Sequence, residues 1–238
     1  MKLDILAFGA HPDDVELGAA ATIAKEISLG KKVGIVDLTQ GELGTRGSKE
    51  LRKVEASKAA KVLGVSLREN LKFADGFFVN DKEHQIEVVK LIRKYKPEIV
   101  LCNAVDDRHI DHGKGSKLVS DACFLRVLQK IETTFDGEIQ KKWRPKLVYH
   151  YLQWKNTSPD FVVDVSGFMD IKMDAVLAYS SQFYDSNSKE EETPISSKNF
   201  TESIQYRAKE LGRLIGVEHA EGFTVERLIA ITSLDKLI

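Results

Sequence analysis

In the stretch AFGAHPDDVELG (7–18), one histidine and two adjacent aspartates follow a short apolar run. Imidazoles and carboxylates are poor core material, so three such groups at a strand-to-helix junction need a task. A modest one exists: Asp13 or Asp14 caps the next helix, a common use of aspartate. That leaves His11 and the second carboxylate unexplained. A second cluster lies in NAVDDRHIDHGKG (103–115), where His109 and His112 flank Asp111 behind Asp106, Asp107 and Arg108. Alone, this loop could be no more than a solvated helix cap. Together the clusters offer two imidazoles and a carboxylate, the ligand set of a catalytic zinc site with one open position. Ferrous iron suits the same donors. Either ion polarises a carbonyl, and zinc acidifies the water it binds.

For these clusters to meet, the elements carrying them must be neighbours. Apolar runs at 3–9, 32–38, 69–73 and 98–103 read as strands. Helical spacing is expected over 15–29, over 48–63 with Ser48 as N-cap and Gly64 as stop, over 83–95 and over 113–130. This alternation implies an α/β fold: a Rossmann-like, doubly wound, mostly parallel sheet with helices on both faces. Such sheets collect ligands outside the carboxyl ends of their strands, and the first and fourth strands run close together near the switch point. Beyond residue 143 the pattern changes. Strands are expected at 146–152 and 161–165, a helix at 168–183, a polar segment broken by proline at 185–199, a helix at 200–215 and a strand in ERLIAI (226–231). The expectation is one domain over 1–238, with a core at 1–142 and a C-terminal part at 143–238 that completes the pocket.

AHPDDVELG and HIDHGKG, with GELGTRGS (41–48), YSSQF (179–183) and HAEGF (219–223), resemble the LmbE/PIG-L family of zinc-dependent deacetylases, which act on N-acetylglucosamine-type amides. The added stretches LVSDACF (118–124) and YHYL (149–152) are most similar to its bacillithiol-biosynthesis branch. The resemblance implies that His11, Asp14 and His112 hold zinc; the same donor set could be loaded with ferrous iron in a cell. It implies Asp13 as general base, a protonated His109 stabilising the oxyanion, and Asp111 orienting His109. The implied reaction removes the acetyl group of N-acetylglucosaminyl L-malate with zinc-activated water. The alternative substrate is another N-acetylglucosamine derivative, a chitooligosaccharide or a mycothiol-type amide. Hexameric assembly is also implied. Ile110 stands where the family usually has proline, which implies a less rigid loop.

Malate carries two carboxylates, and guanidinium groups bind carboxylates bidentately. Arg52 and Arg108 are therefore the expected aglycone anchors, with Arg46 as a weaker candidate. Gln182 is expected to support the pocket from behind. Glu221 reads as a helper of the site or as helix-end structure, and the 185–199 segment as a lid or a loop without fixed form. His84 and His150 read as surface and structural histidines.

The bulk properties narrow the classes. The chain has 238 residues and a formal net charge of −1, which makes no general case for nucleic acid or anionic membrane as partner. No run approaches the roughly 18 apolar residues of a membrane span, and the N-terminal apolar run is too short for a signal peptide. A small-molecule glycoside as partner and a cytoplasmic location are expected. Cys102 and Cys123 lie in apolar contexts without CxxC spacing and read as buried thiols. A nucleotide-binding domain lacks both GxGxxG and GxxxxGK[ST]. A non-catalytic metal or sugar module would have no use for Asp13.

Overall fold

The computed structural model describes residues 1–128 and 130–233. In chain order the elements are β1 (Ile5–Gly9), α1 (Asp14–Ser28), β2 (Val33–Thr39), α2 (Lys49–Leu63), β3 (Leu67–Phe73), α3 (Lys82–Tyr95), β4 (Ile99–Cys102) and α4 (Ile110–Leu125). They continue with β5 (Thr134–Phe135), β6 (Glu138–Ile139), β7 (Leu147–Tyr151), β8 (Phe161–Asp164), α5 (Met169–Leu177), α6 (Lys198–Ile215) and β9 (Ala220–Val225). Seven strands form one sheet in the order β3-β2-β1-β4-β7-β9-β8, parallel except that β9 runs antiparallel to both its neighbours. The expected mostly parallel α/β sheet is therefore present.

Every residue of β1 and β2 is buried, as a parallel sheet covered on both faces requires. Side chains alternate between two cores. Leu6, Phe8, Val36 and Leu38 pack towards α3 and α4, and Ile5, Ala7, Val33 and Ile35 pack towards α1. Burying one such Leu, Ile or Phe side chain contributes about 1.5–3 kcal/mol. This double burial makes β1 and β4, which pair from Ile5 with Ile99 to Ala7 with Leu101, a rigid platform at whose carboxyl end both clusters sit.

Five elements differ from the sequence reading. Helix α4 begins at Ile110 rather than 113, because His109 caps it by accepting from Asp111 N. Asp111 and His112 thus lie in its first turn, not in a loop. The helix ends at Leu125, and Gln129, within the expected 113–130 span, lies outside the described residues. Helix α5 stops at Leu177, because Ser180 and Ser181 turn to hydrogen-bond Glu55 of α2. The last strand is formed by AEGFTV and not by ERLIAI, since Phe223 and its neighbours fit between β7 and β8. A β5–β6 hairpin, unexpected from the apolar pattern, turns at Asp136 (φ 51°) and Gly137 (φ 80°), an Asp-Gly pair suited to left-handed turn positions. No described helix is long and apolar enough to cross a membrane.

Candidate active site

The turn between β1 and α1 does not cap its helix with either aspartate. Asp13 occupies the N-cap position with φ 125° and no side-chain capping bond. That left-handed backbone is strained for a residue with a side chain, at a cost of order 1–3 kcal/mol. The Asp13 carboxylate is held instead by Arg52, whose Nη1 donates to Asp13 Oδ2 (2.6 Å) and to Pro12 O (2.7 Å). Asp14 folds back over the turn. Its Oδ2 accepts from His11 N and from Asn103 Nδ2 (2.9 Å each), and its Oδ1 accepts from Gln153 Nε2 (2.8 Å).

The two histidines of the expected ligand set are oriented in the same manner. His112 directs Nδ1 at Asp107 Oδ2 (2.7 Å) and Nε2 at Asp14 Oδ1 (3.1 Å). His11 directs Nε2 at Asp75 Oδ1 (3.0 Å) and Asp111 Oδ2 (3.3 Å), and its Nδ1 lies 3.6 Å from Asp14 Oδ2. A carboxylate on the far nitrogen of a ligating imidazole fixes its tautomer and raises its basicity. Both free nitrogens converge on Asp14, so the donor chemistry fits a divalent ion held by His11, Asp14 and His112. One ring nitrogen from each of His11, His109 and His112 also falls within 4.8 Å of the others. Asp14 lies against both histidines of the expected set, 3.6 Å from His11 Nδ1 and 3.1 Å from His112 Nε2.

Asp111 does not orient His109 through its carboxylate. That carboxylate accepts from Gly76 N (2.7 Å) and Lys114 Nζ (3.0 Å) and faces His11. Its contact with His109 is the main-chain amide alone. Burial, then the neighbouring His11 and His112, push the pKa of His109 down. Burial opposes charge on His112, but Asp14 and Asp107 lift its pKa to about 9. Burial raises Asp13 to about 6, with Arg52 opposing it.

A cavity of about 460 Å³ opens over these groups, lined among others by Asp13, His109, Arg108, Trp154 and residues 191–195. Its size suits a small-molecule ligand. The three arginines separate. Arg52, expected as an anchor, is buried against the β1–α1 turn as described. Arg46 is buried too, donating through Nε to Glu190 Oε2 (3.2 Å) and through Nη2 to Ser188 Oγ, and so it ties residues 188–190 down beside the cavity. Arg108 is exposed, lies over the Trp154 ring (4.6 Å to the centroid), and has no side-chain ion pair among the described residues. Trp154 in turn stacks on Phe200 (5.2 Å).

Gln182 donates to Arg46 O (2.8 Å) and so supports the pocket wall from behind. His150 is buried away from the cavity, between Ser116 Oγ (2.8 Å), Asn103 O (3.0 Å) and Glu226 (3.2 Å). His84 is partly buried beside Asp81 (2.7 Å). Asp75, Asp107, Asn103 and Gln153 were missed as site residues. Asp107 and Asn103 stand at the end of the fourth strand, where position alone would have raised them. Asp75 lies in a strand-end loop of the same kind. Gln153 carries no sequence signal.

The family model described as PIG-L: GlcNAc-PI de-N-acetylase matches residues 6–123. The chain is 32% identical to a conserved protein of Thermus thermophilus, whose crystal structure superposes with a TM-score of 0.85 over 98% of both chains. It is 29% identical to the diacetylchitobiose deacetylase of Thermococcus kodakarensis over 189 residues, 75% of this chain and 70% of that one. It is 26% identical to the 4-oxalmesaconate hydratase of Pseudomonas putida over 192 residues, 74% of this chain and 73% of that one.

Proposed function

We propose that this chain, which belongs to the PIG-L family, is a metal-dependent hydrolase that removes the acetyl group from an N-acetylglucosamine conjugate. The observation that carries the reading is the convergence of His11 Nδ1 and His112 Nε2 on Asp14, with Asp13 adjacent and held apart by Arg52. His11, Asp14 and His112 would hold zinc or ferrous iron, which would supply Lewis acidity towards the amide carbonyl.

The chain's own groups do the rest. Asp13, with a pKa of about 6, is ionised at neutral pH yet basic enough to take a proton from the attacking water. Arg52 occupies its Oδ2, which leaves Oδ1 as the accepting atom. His109, whose Nδ1 accepts from Asp111 N, carries its proton on Nε2 and donates it as a hydrogen bond to the carbonyl oxygen while negative charge develops there. Asp13 then passes its proton to the departing nitrogen as the C–N bond breaks. The products are acetate and a glucosamine conjugate.

For the conjugate, Arg108 supports a carboxylate-bearing aglycone. Stacking on Trp154 orients its fork at the cavity wall, with no partner among the described side chains. N-Acetylglucosaminyl L-malate meets that demand. The likeness to the Thermococcus enzyme favours a second reading, a neutral chitooligosaccharide. The test is acetate release by the zinc- or iron-loaded protein from the malate glycoside, diacetylchitobiose and a mycothiol-type amide. Turnover is expected to be fastest on the malate glycoside. Acetate release from none of the three, with hydration of an unsaturated dicarboxylate instead, would sink the deacetylase reading.

A further inference from the structure

Helix α1 carries Asp14 at its first position and Leu17 in the cavity wall one turn on. Inside this helix, three main-chain groups have side-chain partners that come from other elements. Lys172 Nζ from α5 donates to Leu17 O (2.7 Å). Glu221 from β9 accepts from Ala21 N through Oε1 (3.2 Å) and from Thr22 N through Oε2 (2.7 Å). Lys172 and Glu221 also bind one another at 2.6 Å. In a regular helix, Leu17 O and Ala21 N are each other's partners. Here an ion pair stands at that position, one member on the carbonyl and the other on the amides.

The side chains of Lys172 and Glu221 are only 4% and 3% exposed. Burying two full charges this deeply is costly unless their hydrogen bonds are complete, and an apolar pair often serves packing better. This pair's remaining bonds run to the backbone of α1 rather than to other side chains. The helix is seated from another side as well. A Cβ at Gly18 would lie 2.1 Å from the Tyr151 ring, so α1 rests directly on that ring, and Tyr151 Oη donates to Phe8 O (2.9 Å).

We infer that Lys172 and Glu221 are positioning residues for the catalytic turn. They clamp α1 between Leu17 and Thr22, so α5 and β9 of the C-terminal part determine where the first turn of α1 stands. That first turn presents Asp13, Asp14 and Leu17 to the cavity. Neither residue touches the reacting atoms. The inference rests on the hydrolase reading for its kinetic consequence, but not for its structural content.

The test has two arms. In the unmodified protein, the amide protons of Ala21 and Thr22 should resonate well downfield of the other mid-helix amides, as donors to a carboxylate. Ordinary helical shifts for both would overturn the clamp whatever the enzyme does. In the second arm, Glu221→Gln keeps the size of the side chain but offers a single acceptor oxygen. With the metal-loaded variant assayed well below its Tm, kcat should fall about 10-fold or more, KM should change less than threefold, and amide exchange should quicken at Ala21 and Thr22 but not in β2. A kcat within twofold of the unmodified protein would overturn the positioning role. So would parallel losses of kcat, metal and global stability. If Glu221→Gln fails to fold, Lys172→Gln, which removes the donor to Leu17 O and keeps both acceptors on Glu221, is held to the same kcat and KM outcomes. Absence of deacetylation by the unmodified protein would count against the hydrolase reading and leave the amide shifts to decide the clamp.

Discussion

The inner and outer walls of the cavity are built on different principles. The inner wall comes from the ends of β1 and β4, strands buried in the sheet, and nearly every polar atom there has a named partner. Asp14 alone joins the turn, Asn103 and Gln153. The outer wall comes from residues 188–195 and the Arg108–Trp154–Phe200 stack, and its Arg108 and Glu190 side chains are exposed or half exposed. A site that must hold an ion and a proton in fixed geometry needs the first kind of wall. A wall that recognises a variable aglycone can be of the second kind. Substitutions on the inner wall should therefore abolish chemistry, and those on the outer wall should change selectivity.

The largest effect is expected at Asp13. Asp13→Asn removes the base but not a ligand, so kcat should fall by about 10²–10⁴ while metal content stays at the unmodified level. Loss of the metal with the activity would merge the roles of the two aspartates. Next is Asp107→Asn. The far nitrogen of His112 loses its carboxylate, and metal affinity, measured by competition with a chelator, should weaken about 10–100-fold. Unchanged affinity would mean that His112 is not a ligand. On the outer wall, Arg108→Ala should raise KM for the malate glycoside by about 10-fold, the scale of one charge-assisted hydrogen bond, and leave diacetylchitobiose unaffected. An equal effect on both substrates would move Arg108 from aglycone recognition to general packing.

The same contrast governs what was legible in the sequence. β1, β2 and β4 were readable because doubly buried strands are continuous apolar runs, and the two His/Asp clusters were readable because they lie in the segments that follow β1 and β4. Asp13 and Asp14 could not be separated by spacing. Their division depends on the strained φ at Asp13 and on Arg52, which arrives from another helix. The arginines were legible as charges but not as partners. Whether a guanidinium is free depends on contacts across the fold, such as Arg46 with Glu190. The C-terminal part was least legible: its short elements take their ends from tertiary bonds, as at Ser181 with Glu55.

The segment over 185–199 tests the weak end of the contrast. Residues 191–195 line the cavity, and Arg46 with Gly47 N holds Glu190 beside it. The Glu190 side chain is half exposed, at 50%, and an ion pair so placed contributes only up to about 1 kcal/mol. Glu190→Gln should therefore raise KM about two- to fivefold, with kcat and metal affinity unchanged. The effect should shrink as salt is added, because a half-exposed pair is screened. A larger loss in kcat would mean that this strap reaches the chemistry and that the two walls are not separable.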